Sequence, residues 1–447
     1  MSIFFSKMIG TLAVIMVIAA FIGGSDLVSK FFDTEERWKY IFLAGVLGGA
    51  FGIYGTISGV TMSSSGAVIS VRDIGPMLAG FMGGPMGGLL GGLICGLQRY
   101  TMGGITALAC VIATCTIGTI CGLISKKFHS VIKTPRYAFF IGAVMECLHL
   151  CIVLIMVKPF ATALGIVKAI AFPFVLINSV GFALLISLMT YIERQRELAI
   201  SQSRIQSELE VATVIQHSLL PPINEDYPGR KEFDIAASME PAKEVGGDFY
   251  DFFFVSPDKM ALLIADVSGK GVPAALFMAT SKMVLQNCLR DIPDLAKAVE
   301  TANNNLCRGN EAEMFVTSWI GVLDIPTGHV DFVCAGHNPP ALITANGAEF
   351  VRTRPGLVLG GMEGMKYRKE SLDLKSGDML FLYTDGVTEA ENEFHELYTE
   401  KRLKFCLNEI KGSDPDKVVK RIRSDITSHV HGFDQFDDIT MLCIKYK

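Results

Sequence analysis

The sequence has few charged residues for its length. Only 19% of its 447 residues are Asp, Glu, Lys or Arg, whereas 50% are apolar, and this balance is unusual for a wholly soluble protein. The formal net charge of -5 gives no broad basic field, so we expect no nucleic-acid partner. None of the eleven cysteines forms a Cys-x-x-Cys pair, which removes the zinc-ribbon and thiol-redox patterns. We expect these cysteines to be buried and reduced.

The apolar residues are concentrated before about residue 191, and charges are dense beyond it. Six apolar segments each approach the roughly 20 residues that a helix needs to cross a bilayer. Their limits are about 3–23, 40–60, 74–97, 103–124, 137–157 and 168–191. We therefore predict an all-α, multi-pass membrane domain over 1–192, with the first segment kept as an uncleaved anchor. Closely spaced glycines in the third segment predict tight helix packing, and a ligand-lined or broken helix is the alternative.

Basic residues beside the predicted spans indicate the orientation. Those after the fourth and sixth segments are Lys126, Lys127, Lys133, Arg136, Arg194 and Arg196. Because Lys and Arg are enriched in cytoplasmic loops, we expect both clusters inside, with six spans that start from a cytosolic N-terminus. The sequence thus predicts a plasma-membrane protein whose C-terminal half lies in the cytosol.

Ionisable residues within or beside the spans suggest a site in the membrane domain. They are Arg72, Asp73, Arg99, Glu146 and His149. Ionisable groups at membrane depth are costly and usually face the interior of the helix bundle. Glu146 and His149 are one helical turn apart and share a face. A structural pair and a ligand or proton site are the alternatives here.

Two motifs in this half resemble the LytS-type five-transmembrane receptor domain over roughly 40–190. They are RDIGPMLAGFMGGPMGG (72–88) and QRYTMGG (98–104). Where that family usually has an Asn two residues before the arginine, this chain has Ser70. The resemblance implies a membrane domain that senses a ligand, whose identity the sequence does not give.

The segment 193–222 predicts a polar helix, because no Pro or Gly interrupts it before Pro221. Apolar or seam residues recur at heptad spacing, namely Leu198, Ile205, Leu209, Ala212 and Gln216. This pattern favours a short coiled coil over a plain solvated helix. We therefore predict a signalling helix through which the chain forms a homodimer.

Beyond residue 223, short apolar and β-branched runs alternate with turn residues, which predicts strands. The predicted strands are 233–239, 249–255, 260–266, 315–324, 329–336, 341–344, 379–384 and 439–445. The predicted helices are 273–290, 293–308, 399–410 and 415–430. Because strands dominate and short turns join them, we predict an α/β (α+β) domain over 223–447, with antiparallel sheets and helices packed outside.

Acidic residues lie at the ends of several predicted strands. The turn 256–259 predicts a hairpin that places Asp248 almost opposite Asp266. Opposed residues have Cα atoms about 5 Å apart, and two carboxylates at that separation repel each other. A divalent cation with oxygen ligands removes the conflict.

Three more acids extend this pattern. Asp385 directly follows a predicted strand, and Asp437 and Asp438 directly precede another. Converging strands would bring all these acids to one sheet edge, so a shared metal site is one interpretation. The alternative is that the aspartates cap turns and helix starts.

Five motifs surround these acids in a fixed order. They are EVGGDFYD (244–251), ADVSGKGVPAALFM (265–278), AGHNPPAL (335–342), LYTDGVTEAEN (382–392) and FDDIT (436–440). With IQHSLLPP (215–222), they resemble the bacterial stage II sporulation protein E (SpoIIE) group of metal-dependent phosphatases, in the PPM class. The resemblance covers about 215–447 and implies a sandwich of two antiparallel β-sheets flanked by helices. It also implies hydrolysis of phosphoserine or phosphothreonine on a cytosolic phosphoprotein, typically an anti-sigma-factor antagonist.

The same resemblance implies a centre of two Mn²⁺ or Mg²⁺ ions that activate a water molecule. The implied ligands are Asp248, Asp266, the Val267 carbonyl, Asp385 and Asp437. Asp266 is the implied bridging ligand and, with Asp248, the implied catalytic residue. No nucleophilic Ser or Cys is expected, and Asp438 ranks behind Asp437.

Three further residues have two interpretations each. Lys243 and Lys270 either attract phosphate or are solvated surface lysines. His337 either protonates the leaving group or is a structural histidine beside the turn at 338–340.

Together these features predict a membrane-anchored, signal-responsive phosphatase. A non-catalytic dimeric scaffold is the main alternative, and the complete set of acids disfavours it. A transporter with a regulatory domain is disfavoured because no internal repeat is evident. A sensor histidine kinase is excluded, since no Gly-rich ATP-binding boxes follow the connector.

Overall fold

The computed structural model describes residues 2–23, 37–62, 67–222 and 230–447. The chain divides into two compact units, Met1–Gln202 and Ser203–Lys447. The predicted start of the soluble domain at residue 223 lies outside the described residues.

The first unit is helical. Its helices are α1 (Ser2–Gly23), α2 (Arg37–Ile57), α3 (Ile74–Thr101), α4 (Ala107–Lys127), α5 (His129–Ile132), α6 (Pro135–Met156) and α7 (Phe160–Leu219). A small antiparallel hairpin of β1 (Val60–Thr61) and β2 (Val68–Ile69) precedes α3. Within the described residues, five helices are long and apolar enough to cross a membrane, and α1 contains a shorter apolar stretch, Ser6–Ile22.

Helix α3 is not the single straight span that the sequence predicted over 74–97. Gly84 has φ 67° and ψ -164° and precedes Pro85, so the helix breaks here. A Cβ on Gly91 would lie 3.1 Å from the Cβ of Ala79, although in a straight helix the two residues would be about 18 Å apart. The arms on either side of Gly84 therefore fold back on each other. The break agrees with the alternative of a broken helix in this segment, but the apolar pattern continues unchanged through it and gave no sign of the reversal.

Glycines allow the helices of this unit to approach closely. A Cβ on Gly75 would lie 2.2 Å from the carbonyl oxygen of Gly48, and one on Gly88 would lie 2.0 Å from that of Gly118. Any side chain at either position would collide with backbone. The predicted tight packing through small residues is thus confirmed.

Helix α7 contains the last apolar segment and the predicted connector without interruption. Of the predicted seam residues, Leu198 is 50% exposed and Ile205 is 53% exposed. Gln216 differs, because its side chain is buried. The coiled-coil dimer stays a prediction.

The second unit contains two five-stranded antiparallel sheets. The first has the order β10 (Glu370–Asp373), β7 (His329–Ala335), β6 (Val316–Asp324), β5 (Lys259–Val267) and β4 (Phe249–Ser256). The second has the order β3 (Phe233–Glu240), β12 (Ile439–Tyr446), β11 (Met379–Tyr383), β8 (Ala341–Thr344) and β9 (Gly347–Phe350). All the predicted strands are present. Strands β9 and β10 were not predicted, because each has only four residues and lacks an apolar run.

Side chains that alternate along the strands fill the layers of the sandwich. Along β5, Leu262 and Ile264 pack between the sheets, whereas Leu263 packs beneath helices. Trp319 and Phe332 stack between the sheets, with ring centroids 5.4 Å apart. The flanking helices are α8 (Val272–Asp291) and α9 (Leu295–Cys307) on the first sheet, and α11 (Thr399–Glu409) and α12 (Pro415–Val430) on the second. The predicted fold class is confirmed.

A buried ion pair joins α8 to the first sheet. Lys282 Nζ lies 2.6 Å from Asp251 Oδ2, and the two side chains are 9% and 3% exposed. Removing one partner of such a pair costs about 3–5 kcal/mol, since it leaves a buried charge unpaired. The pair therefore fixes α8 against the strand that follows Asp248.

Candidate metal centre

The hairpin of β4 and β5 brings Asp248 and Asp266 to the same edge. Phe249 on β4 pairs with Ala265 on β5. Asp248 directly precedes Phe249 and Asp266 directly follows Ala265, so the two acids lie opposite each other. The charge of Asp266 also acts on Asp248. The structure thus places this pair as the predicted hairpin requires.

The second sheet contributes the remaining acids to this edge. Strands β11 and β12 are neighbours. Asp385 opens the short helix α10 (Asp385–Thr388) directly after β11, and Asp437 and Asp438 directly precede β12. Both Asp385 and Asp437 act electrostatically on Asp266. The structure therefore brings the predicted acidic ligands from both sheets together.

Burial and mutual repulsion raise the pKa values of three of these acids, Asp248, Asp266 and Asp385. Burial, followed by the charges of Asp266 and Asp438, raises the pKa of Asp248 well above its usual range. Burial, followed by the charges of Asp385 and Asp437, raises the pKa of Asp266 to about 7. Burial and then Asp437 also raise the pKa of Asp385. Acids arranged in this way hold protons unless a cation neutralises them.

Asp438 orders the loop that carries the first motif. Its Oδ1 accepts a hydrogen bond from the N–H of Ala242 at 2.7 Å, and its Oδ2 accepts one from the N–H of Gly247 at 2.6 Å. A Cβ on Gly246 would lie 2.3 Å from the same Oδ2, so this position needs glycine. Because backbone N–H groups occupy its oxygens, Asp438 suits a supporting role better than Asp437 does.

Lys270 lies among the acids, whereas Lys243 is exposed. Lys270 Nζ is 3.2 Å from Asp437 Oδ2 and donates a hydrogen bond to the carbonyl of Phe436. It also lies 3.8 Å from the centroid of the Phe436 ring. Of the two lysines, Lys270 is therefore the one placed to contact a bound phosphate.

His337 is a buried histidine next to the first sheet. Its Nδ1 lies 2.9 Å from Thr317 Oγ1, and Thr317 pairs with Asp266 across β5 and β6. Burial lowers the pKa of His337 to about 4, so its imidazole is neutral near pH 7. A neutral, buried imidazole is poorly suited to donate a proton to a leaving group. The geometry favours the structural interpretation.

Sequence reasoning missed Thr384 and Glu389, although both lie in the motif at 382–392. Thr384 Oγ1 donates a hydrogen bond to Asp248 Oδ2 at 2.7 Å and accepts one from the N–H of Thr440 at 3.0 Å. The pKa of Glu389 is raised by burial and then by Asp385. A hydroxyl at the end of an apolar strand, directly before an acid, was the signal for Thr384.

The end of helix α7 contacts the loop of the first motif. Gln216 Nε2 donates to the carbonyl of Gly246 at 2.7 Å, and Gln216 Oε1 accepts from the N–H of Gly246 at 3.1 Å. Thr213 Oγ1 donates to the carbonyl of Glu244 at 2.6 Å. Gln216, which the sequence placed in a coiled-coil seam, thus binds the loop that leads into Asp248.

The donor set fits hard divalent cations. Its members are carboxylates and the Val267 carbonyl, which are the oxygen ligands that Mg²⁺ and Mn²⁺ select. A Cβ on Gly247 would lie 2.9 Å from that carbonyl, so the carbonyl faces the loop of the first motif. No three of these acids offer ligand atoms within 4.8 Å of one another in the described part of the chain.

Two family descriptions match the chain. "Stage II sporulation protein E (SpoIIE)" matches residues 256–447, and "5TMR of 5TMR-LYT" matches residues 25–192. Both resemblances found in the motifs are therefore confirmed.

Individual proteins are also similar to the second unit. The chain is 31% identical to Protein IcfG of Synechocystis over 264 residues, which cover 53% of this chain but only 41% of IcfG. It is 30% identical to phosphoserine phosphatase RsbU of Bacillus subtilis over 262 residues, which cover 58% of this chain and 76% of RsbU. The solved SiaA-PP2C domain of Pseudomonas aeruginosa matches with a TM-score of 0.50 at 19% identity, over 56% of this chain and 100% of that domain. This last similarity is one of fold.

The raised carboxyl pKa values predict how the stability of the metal-free protein depends on pH. With a pKa of about 7 for Asp266, the folded state holds protons that the unfolded chain releases near pH 4. Stability without metal should therefore fall as pH rises from about 5 to about 8. Thermal unfolding in EDTA measures this, and Asp266→Asn should flatten the dependence.

The exposed Asp416 provides the matched control, since Asp416→Asn should leave the pH dependence unchanged. Mn²⁺ should restore stability most at high pH, where the carboxylates are ionised. An unfolding temperature that rises steadily over this pH range in EDTA would contradict the electrostatic account.

Proposed function

The chain belongs to the SpoIIE family of phosphatases, and on that premise we propose that it is a membrane-anchored, signal-responsive serine/threonine phosphatase. It hydrolyses phosphoserine or phosphothreonine on a cytosolic regulatory protein. The observation that carries the proposal is the set of acids with raised pKa values at one sandwich edge. Three separate sequence motifs supply these acids.

In this proposal, two Mn²⁺ or Mg²⁺ ions are held by Asp248, Asp266, the Val267 carbonyl, Asp385 and Asp437. Bound there, such ions supply an activated water and neutralise charge on the phosphoryl oxygens. The protein itself keeps the ligands in place, since Thr384 donates a hydrogen bond to Asp248. Lys270 adds a positive charge beside Asp437, where it can attract the phosphate of the substrate.

A cleft beside Asp437 supports a protein substrate. Its volume is ≈ 200 Å³, and its lining includes Arg423, Phe433 and Phe436. The two phenylalanines are 40% and 73% exposed, and exposed aromatic and guanidinium groups are typical of surfaces that bind polypeptides. RsbU is named a phosphoserine phosphatase. We infer a phosphoprotein substrate of the anti-sigma-factor antagonist class.

The signal is proposed to enter through the first unit, which binds a ligand of unknown identity, and to travel along α7. Gln216 on this helix is hydrogen-bonded to Gly246, two residues before Asp248. A movement of the helix end would therefore change the position of an acid of the centre. The exposed Leu198 and Ile205 support a homodimer through the same helix.

The proposed orientation places the second unit in the cytosol of a bacterial cell. Because α3 folds back on itself, a count of six membrane spans no longer indicates on which side of the membrane the second unit lies. The basic residues support the orientation instead, since Lys133 Nζ lies 2.5 Å from Glu193 Oε2. This contact places the basic loop before α6 beside the basic start of the connector, and Lys and Arg clusters mark the cytosolic side.

Activity of residues 193–447 tests the assignment of the enzyme. With Mn²⁺, this fragment should hydrolyse a phosphoserine protein and p-nitrophenyl phosphate, and EDTA should abolish turnover. Asp266→Asn or Asp385→Asn should each lower kcat by on the order of 1000-fold, because each removes a metal ligand. Asp416→Asn is the surface control and should keep full activity. Full activity of Asp266→Asn would contradict the proposed mechanism. A folded fragment that neither hydrolyses substrate nor binds Mn²⁺ would favour the alternative of a non-catalytic scaffold.

The same assay tests the contact between α7 and the loop of the first motif. Gln216→Ala removes both hydrogen bonds and leaves the N–H of Gly246 buried without a partner, which costs about 1–3 kcal/mol. We expect kcat with saturating Mn²⁺ to fall roughly tenfold through the disturbed position of Asp248. Gln206→Ala, at an exposed position of the same helix, should keep wild-type kcat. Equal kcat values for Gln216→Ala and Gln206→Ala would contradict the proposal that the signal reaches Asp248 through the contact between Gln216 and Gly246.

A further inference from the structure

Charged side chains meet inside the first unit, far in sequence from the phosphatase motifs. Asp73 Oδ2 lies 2.6 Å from His149 Nδ1, and Asp73 Oδ1 accepts a hydrogen bond from Thr114 Oγ1 at 2.8 Å. Arg72 Nε lies 3.4 Å from the same Oδ1. The exposed fractions of Asp73 and His149 are 0% and 2%. The proposed phosphatase reaction uses none of these groups.

Glu146 also belongs to this cluster, but no described donor is hydrogen-bonded to its carboxylate. Its exposed fraction is 0%, and neither of its carboxylate oxygens accepts a hydrogen bond from another described residue. Yet one ligand atom each from Asp73, Glu146 and His149 all lie within 4.8 Å of one another. An ionised carboxylate buried without compensation is costly. Two buried carboxyl groups this close need a proton or a cation between them.

The backbone beside the cluster is of a kind that forms binding sites in membrane proteins. Helix α3 starts directly after Asp73 and breaks at Gly84, and residues 67–83 are almost entirely buried. Non-helical backbone at membrane depth occurs where protein encloses it or where it lines a cavity. The cluster thus lies where a bound ion is structurally reasonable.

We propose that Asp73, Glu146 and His149 bind a divalent transition-metal ion, such as Zn²⁺, within the membrane domain. Two carboxylates and a neutral imidazole provide three ligands for the ion. The guanidinium of Arg72 contacts Asp73 Oδ1, whereas Oδ2 is hydrogen-bonded to His149 Nδ1, so an ion bound here would replace the proton that joins these two atoms. Three protein ligands leave a fourth tetrahedral position open to water or to a small ligand.

The imidazole distinguishes this site from the phosphatase centre. Imidazole favours Zn²⁺ and similar ions, whereas a site built from oxygens alone suits Mg²⁺ and Mn²⁺. An excess of Mg²⁺ should therefore fill the phosphatase centre and leave the membrane site for zinc. This difference makes the two sites separable in the full-length protein.

The test measures Zn²⁺ binding by the full-length chain in lipid nanodiscs, with excess Mg²⁺ and a competing chromophoric chelator. We expect one zinc ion per chain. Glu146→Gln and His149→Gln should each weaken binding by roughly 100-fold, because each removes a direct ligand. Cys147→Ser is the matched control, since Cys147 is on the same helix and exposed, and it should keep wild-type affinity.

X-ray absorption at the zinc edge gives a second measurement that needs no variant to fold. The wild-type spectrum should show one imidazole and otherwise oxygen ligands at about 2.0–2.2 Å. A sulfur ligand or a spectrum without imidazole would overturn the proposal. So would unchanged affinity in both folded variants, or no stoichiometric zinc at all, which would mean that a proton joins the two carboxyl groups.

Discussion

Repulsion among carboxylates gathered at one edge of the sandwich is the constraint on which the second unit depends. Asp248 and Asp266 come from one sheet, and Asp385 and Asp437 come from segments beside the other, so the centre exists only when both sheets are packed. The surrounding polar groups keep these acids close despite their charge. Thr384 and the backbone N–H groups near Gly247 take part in this network, and in the proposed function cations supply the remaining compensation. Fold and function are thus linked through the same charges.

The first unit also encloses ionisable side chains, and it does so through close packing of its helices. Here the glycines of α2, α3 and α4 let backbones touch, which is how helices associate in lipid without a hydrophobic driving force. Such close packing encloses Asp73, Glu146 and His149. Helix α7 belongs to both units by sequence, and its last turns contact the loop before Asp248. Helix α7 is therefore a covalent connection between the first unit and the loop before Asp248.

Much of the second unit follows from local patterns in the sequence. Alternation of apolar residues fixed the long strands, and the turn at 256–259 was enough to place Asp248 opposite Asp266. The fold-back at Gly84 was not predictable in this way, because apolar and small residues continue on both sides of it. The environment of His337 and the partner of Gln216 also escaped prediction, since both depend on contacts between segments distant in sequence.

The most direct test of the central claim is to locate the metal ions. Crystals of residues 193–447 grown with Mn²⁺ would be measured at the manganese absorption edge. The account predicts two anomalous peaks about 3.5–4 Å apart, both bound by Asp266, with Asp248, Asp385 and Asp437 completing the protein ligands. A folded, active fragment with no peak at this sandwich edge, or with manganese bound only elsewhere, would contradict the account.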